Sequence, residues 1–167
     1  MEKIGVFYGT TTGKSGAIAD EIDFNLRKID HEIFNVADGI SEITNFKNLI
    51  LITPSYGVGQ LQRDWEAHRA ELESIDFSGK KIALVGLGNQ FTFGESFVEG
   101  MKKLYDIVTS KGGEVIGMTK NVGYSHKESE AVIGDKFVGL ALDENNQDEE
   151  TPDRVANWIQ DILKEFY

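Results

Sequence analysis

The sequence predicts an α/β fold: a doubly wound parallel sheet with helices on both faces. Three observations carry this. Short apolar runs alternate with helix-period segments along the whole chain. The first apolar run enters a helix through a loop rich in glycine and hydroxyls. No repeat, low-complexity tract or linker divides the sequence, so residues 1–167 are expected to form one domain. Repeated strand–helix units give parallel strands, because each crossover helix must return across a face of the sheet. A domain of 167 residues buries roughly 70% of its unfolded surface, enough for one core.

The elements follow in order. Ile4 to Tyr8 is a buried strand, and Ser15 opens a helix whose Ile18, Ile22, Leu26 and Ile29 recur at helical spacing. His31 to Val36 alternates as a strand, and Leu49 to Thr53 is a fully apolar strand ending at Pro54. Gln62 to Leu72 suits one helix, and Lys81 to Gly88 is a buried strand. Glu95 to Lys111 is helical, with Phe97, Met101, Leu104 and Val108 on one face. Val115 to Met118 and Phe137 to Leu142 are short strands separated by a polar interruption. The last helix starts at Thr151 with Pro152 at its first position, and Val155, Trp158, Ile159, Ile162, Leu163 and Phe166 form its stripe.

Composition narrows the chemistry. Without cysteine the chain supplies no disulfide, thiolate nucleophile or iron–sulfur ligand, so redox chemistry requires a bound organic cofactor. Twenty-eight acidic against seventeen basic residues give a net charge of −11, which repels nucleic acids and anionic membranes and favours basic-faced partners. No run approaches the about eighteen apolar residues of a membrane span, and Met1-Glu2-Lys3 lacks the pattern of a signal peptide. A cytoplasmic location is expected.

In an open sheet of this kind a ligand sits beyond the carboxyl ends of the strands, where the strand order reverses. Three loops gather there: residues 9–15, 54–60 and 87–96. In the first, Thr10, Thr11, Thr12, Gly13, Lys14 and Ser15 lead into a helix whose first N–H groups have no internal partner, the build of a phosphate cradle. Gly9 and Gly13 are expected to permit tight turns. The same residues also fit an ordinary turn with Ser15 as N-cap. A Walker loop is excluded because Tyr8 stands where its first glycine belongs. The dinucleotide fingerprint is excluded because Gly9, Gly13 and Gly16 are spaced four and three apart.

The loops Thr10 to Ser15, Pro54 to Trp65 and Gly86 to Phe97, with the late block Lys136 to Gln147, resemble those of flavodoxins of the long-chain type from Lys3 to the C-terminus. The resemblance implies a five-stranded sheet of order 2-1-3-4-5, of which flavodoxins are themselves the type example. It also implies a last strand interrupted by a long loop near Lys120 to Lys136. It implies FMN, with its phosphate on Thr10 to Ser15, its ribityl chain near Ser55 and Asn145, and its ring between the second and third loops. There Tyr56, Gly57, Val58 and Gly59 face Leu87, Gly88, Asn89, Phe93 and Ser96. Tyr56 and Phe93 are aromatics able to stack on a flat ring, and Gly57 suits the first central position of a type II′ turn. Tyr56, Phe93 and Asn89 stand where the family often has Trp, Tyr and Asp, which should loosen the stack and ease formation of anionic reduced flavin.

The implied function is a low-potential one-electron carrier working on the semiquinone/hydroquinone couple of non-covalent FMN, with no catalytic residue or metal of its own. The implied partners are a ferredoxin/flavodoxin-type reductase and acceptor enzymes, met by a monomer. Two alternatives are an FMN-dependent NAD(P)H:quinone reductase of the same fold and a non-redox regulatory module. The latter needs acidic residues where the chain has Tyr8 and Pro54-Ser55. His31, His68 and His126 are read as solvated, Trp65 and Trp158 as core, and Asp148-Glu149-Glu150 as a solvated face.

Overall fold

The computed structural model describes the backbone of residues 1–167 and the side chains except that of Tyr56. In chain order the first elements are β1 (Ile4–Tyr8), α1 (Lys14–Asn25), β2 (His31–Asn35), β3 (Asn48–Tyr56), β4 (Gln60–Leu61), α2 (Arg63–Ala67) and α3 (Arg69–Ser74). They are followed by β5 (Lys81–Leu87), α4 (Glu99–Ser110), β6 (Glu114–Ile116), β7 (Thr119–Lys120), β8 (Val132–Ile133), β9 (Lys136–Phe137), β10 (Leu140–Leu142) and α5 (Thr151–Ile162).

The main sheet runs β2-β1-β3-β5, all parallel. The free edge of β5 carries two segments end to end: β6 opposite Lys81 to Ala83, and β10 opposite Val85 to Leu87. Together they are one fifth strand split by residues 117–139, so the order 2-1-3-4-5 and the interrupted last strand are both present. Part of the interruption folds into a small antiparallel sheet, β7-β9-β8.

Alternation along the central strands explains why they read as unbroken apolar runs. In β3, Leu49 and Leu51 belong to one core cluster with Trp65, Leu72, Met101 and Leu104, while Ile50 and Ile52 belong to another with Ile18, Ile22, Val155 and Ile159. Successive side chains point to opposite faces, and both faces are covered by helices. Trp65 and Trp158 are buried, each donating its indole N–H to a carbonyl: Trp65 to Ile52 at 3.0 Å and Trp158 to Gly117 at 2.8 Å.

Several boundaries differ from the sequence expectation. The strand expected to end at Pro54 runs on to Tyr56, and the one expected from Phe137 to Leu142 is two segments, β9 in the small antiparallel sheet and β10 beside β5. Gln62 to Leu72 is two short helices, because the His68 amide is shared between the Asp64 and Trp65 carbonyls at 3.3 and 3.2 Å, a local tightening. The helix expected from Glu95 begins at Glu99, since Val98 before it adopts φ +52°. This left-handed turn costs a β-branched residue about 1–2 kcal/mol, and Val98 is completely buried there. The strand expected from Val115 to Met118 stops at Ile116, because Gly117 turns away at φ +74° beside Trp158. The histidines are partly buried, not solvated: His126 stacks on Phe97 with centroids 5.3 Å apart, and His31 bridges the Ile29 carbonyl and Asp23.

Candidate functional site

The first loop is shaped by clearance and by one left-handed residue. Gly9 is needed for space: a Cβ there would run into Gln62 Oε1 and come within 2.6 Å of the Trp65 ring. The turn itself falls at Gly13, with φ +90° and open space where a Cβ would stand. Gly13 N donates to Thr10 Oγ1 at 3.0 Å, and α1 begins at the next residue. Ala17 N bonds Gly13 O at 3.0 Å; the N–H groups ahead of it have no carbonyl one turn back. Within that first turn Ser15 is 1% exposed, and its hydroxyl has no hydrogen-bond partner.

Gln62, buried and unassigned by the sequence reading, anchors this loop. Its Nε2 donates to Thr10 O at 3.2 Å and to Thr11 Oγ1 at 3.3 Å, while its Oε1 accepts from Asp64 N and Trp65 N. One side chain thus caps α2 and tethers the loop.

The second loop is the β3–β4 hairpin. Tyr56 pairs with Gln60, so three residues close it, with Gly57 at φ +52° and Gly59 at φ +74°. Gly57 has the positive φ expected of it, but in a three-residue closure. Ser55 Oγ accepts from Gly100 N at 2.8 Å, fixing the end of β3 to α4. Beyond the third loop's Leu87 and Gly88, the Asn89 side chain closes a turn, accepting from Phe91 N at 3.1 Å and Thr92 N at 2.9 Å.

Between these loops lies a cavity of about 300 Å³ at the carboxyl ends of β3 and β5. Of the expected residues, Thr12, Lys14, Ser55, Gly57, Leu87, Gly88, Asn89, Phe93 and Asn145 line it, joined by Pro54 and Glu144, which sequence reasoning had not singled out. Glu144 adjoins Asn145 in the late block, the only signal that could have found it. Thr10, Thr11, Gly13 and Ser15 occupy the loop and helix start beside its Thr12–Lys14 wall. Val58 and Ser96 border a neighbouring depression, and Gly59 is packed against Glu99. The Tyr56 side chain lies outside the described residues.

Two contacts bear on the charge of the site. Lys14 reaches across the cavity, its Nζ donating to Asn145 Oδ1 at 3.0 Å. Asp143 is buried at the end of β10. Burial alone would raise its pKa, but hydrogen bonds from Asn146 and Gln90 together outweigh this and hold the carboxyl below the usual carboxylate range. A larger depression of about 580 Å³ lies between residues 117–124 and α5. It has no comparable anion cradle, and its Arg154 is already bonded to Gln147 and Glu150.

Fold and site together define a doubly wound α/β protein with a ligand site at the topological switch point. The flavodoxin family model matches residues 6–158. The flavodoxin of Helicobacter pylori is 42% identical over 167 residues, covering 99% of each chain. That of a Picosynechococcus species is 41% identical over 168 residues, again covering 99% of each. Among solved structures, Fusobacterium nucleatum flavodoxin bound to flavin mononucleotide superposes with a TM-score of 0.98 at 52% identity, covering 100% of both chains. The chain therefore belongs to the flavodoxin family, whose members are electron-transfer proteins and not enzymes. Among the described residues no helix is long and apolar enough to cross a membrane.

Proposed function

We propose that this chain is a low-potential one-electron carrier holding one FMN non-covalently, the whole of residues 1–167 acting as a single domain. The observation that carries the reading is the buried, unpartnered Ser15 hydroxyl at the start of α1, beside a cavity wide enough to open between three loops. A buried polar group without a partner costs about 1–3 kcal/mol, and an anion at the helix N-terminus supplies the missing acceptor. The donor chemistry fits a phosphate: hydroxyls and N–H groups, with the helix dipole supplying positive potential in a strongly acidic protein.

When bound, FMN supplies the one-electron chemistry. The chain's own residues bind and orient. Thr10, Thr11, Thr12, Gly13 and Ser15 would hold the phosphate. Ser55 and Asn145 would hold the ribityl chain, and the wall from Leu87 to Phe93, with Gly57 opposite, would confine the ring. Lys14, the one cation of the loop, bonds to Asn145 on the far wall, so it would lie over the ribityl or ring side. Phe93, which lines the cavity, is 42% exposed, so a ring edge beside it would be reachable from solvent for electron transfer.

The net charge of −11 supports docking on basic-faced partners, a ferredoxin/flavodoxin-type reductase among them, by a protein working as a monomer. A cysteine-free sequence suits a reducing, cytoplasmic setting. The test is a titration of apoprotein with FMN and riboflavin, in wild type and in Thr12→Asp. The reading expects FMN to be weakened far more than riboflavin, since only the phosphate meets the new charge. Equal losses would place the phosphate elsewhere.

A further inference from the structure

Asp143 does not line the cavity, yet its carboxylate is bonded to two of the cavity's walls. Oδ1 accepts from Asn145 N and Asn146 N, each at 3.0 Å, which sets the loop after β10. Oδ2 accepts from Gln90 N at 3.0 Å, Gln90 Nε2 at 2.9 Å and Asn146 Nδ2 at 2.8 Å, which sets the third loop. Asn146 Nδ2 also donates to Asn89 Oδ1 at 3.0 Å, so one amide ties Asn89 directly to the carboxylate.

Gln90, 2% exposed, carries the network outward. Its Nε2 donates a second time, to Gln147 Oε1 at 2.9 Å, and its Oε1 accepts from Ser125 N in the segment that splits the fifth strand. That segment also donates Lys127 N and Glu128 N to the Gly94 carbonyl at 2.7 and 2.9 Å. Every polar atom of the Gln90 side chain is thus satisfied, a condition under which a buried network rigidifies its surroundings.

We propose that Asp143, Gln90 and Asn146 form a knot that positions the ring-side and ribityl-side walls of the flavin site, holding Asn89 and Asn145 in one geometry and bracing the third loop on the inserted segment. The proposal rests on the FMN reading above. These are positioning residues: they act through Asn89, Asn145 and Phe93. The knot also places a buried anion behind the ring side, where it opposes the arrival of further negative charge.

The test uses three variants of the full chain: Asn146→Ala, which removes two of these bonds at a partly exposed position; Gln90→Leu, which removes the side-chain link to Ser125 while leaving the Gly94 bonds to the inserted segment; and Asp143→Asn, which removes the charge. Apoprotein is titrated with FMN and with riboflavin, folding is checked by circular dichroism and thermal melting, and both one-electron potentials of the FMN complex are measured. At about 1 kcal/mol per lost hydrogen bond, Asn146→Ala, which loses two, should weaken both flavins by up to about 30-fold, and Gln90→Leu, which loses three, by up to about 150-fold. The ratio of FMN to riboflavin affinity should not change, because the cradle at Thr10 to Ser15 is untouched. Asp143→Asn should raise the lower potential. A merely structural knot would lower the melting temperature and leave affinities and potentials as in wild type, overturning the proposal. So would a loss confined to FMN, which would place the effect at the phosphate. If Gln90→Leu fails to fold, Asn146→Ala decides alone. If wild type binds neither flavin, the proposed function itself fails.

Discussion

Ser15→Ala should move apoprotein stability and FMN affinity in opposite directions. In the structure Ser15 is 1% exposed in the first turn of α1, and its Oγ meets no protein partner. Truncation to alanine removes a buried polar group whose unmet hydrogen bonding costs about 1–3 kcal/mol, and alanine is the better helix former. Apoprotein should therefore gain on the order of 1 kcal/mol, read as a higher midpoint in urea unfolding with an unchanged slope. With FMN the balance reverses. A hydrogen bond to a charged group contributes about 1.5–3 kcal/mol, so losing it should raise the FMN dissociation constant by about 10- to 150-fold. Riboflavin, lacking the phosphate, should bind the variant as it binds wild type. Fluorescence titration measures both ligands. A variant that destabilises apoprotein and weakens the two flavins equally would show that the Ser15 hydroxyl is a packing feature and no part of an anion cradle.

Other expectations follow from the same geometry. Gly57 lies at φ +52°, so Gly57→Ala should strain the hairpin by about 1 kcal/mol and weaken FMN and riboflavin alike by about fivefold; titration that finds either unchanged would refute this. Burial among Phe97, Tyr124 and Phe137 pushes the His126 pKa below its ordinary 6.5. The unfolded chain then binds the extra proton first as pH falls. Stability is fully present above about 6.5 and declines as pH drops from there toward the depressed folded value, and His126→Phe should flatten that decline in urea unfolding series. Glu95 borders the neighbouring depression that Phe93 also lines, its side chain 79% accessible and 4.0 Å from Lys127 Nζ. Stopped-flow reduction by a ferredoxin/flavodoxin-type reductase should slow as the Debye length falls from about 30 Å at 0.01 M to about 3 Å at 1 M salt. Glu95→Lys should slow it at low salt without moving the flavin potentials.

The strands and outer helices were legible because local pattern decides them. Leu49 to Ile52 is apolar at every position since alternate residues feed cores on both faces of the sheet. Pro152 and the stripe from Val155 marked the start of α5, although the stripe was read on to Phe166 and the helix ends at Ile162. What escaped was set by distant contacts. The start of α4 waits for Val98 because residues 89–97 are bonded to the inserted segment and to Asp143, none of which shows in the local period. At the site, the conformation of the first loop was legible as a glycine and hydroxyl run entering a helix. The role of Gln62 was not, since its three-way tether exists only once α2 is packed against the first loop. Lys14 illustrates the same limit: its ammonium group bonds Asn145, 131 residues away, a contact no local pattern shows.

Potentiometric titration of the FMN complex, followed by visible absorption, tests the central claim most directly. A one-electron carrier of this build should be reduced in two separate one-electron steps, the second at a potential well below that of free FMN, because the second electron meets a buried carboxylate at Asp143 and a net charge of −11. A single two-electron step at the potential of free FMN would contradict the account.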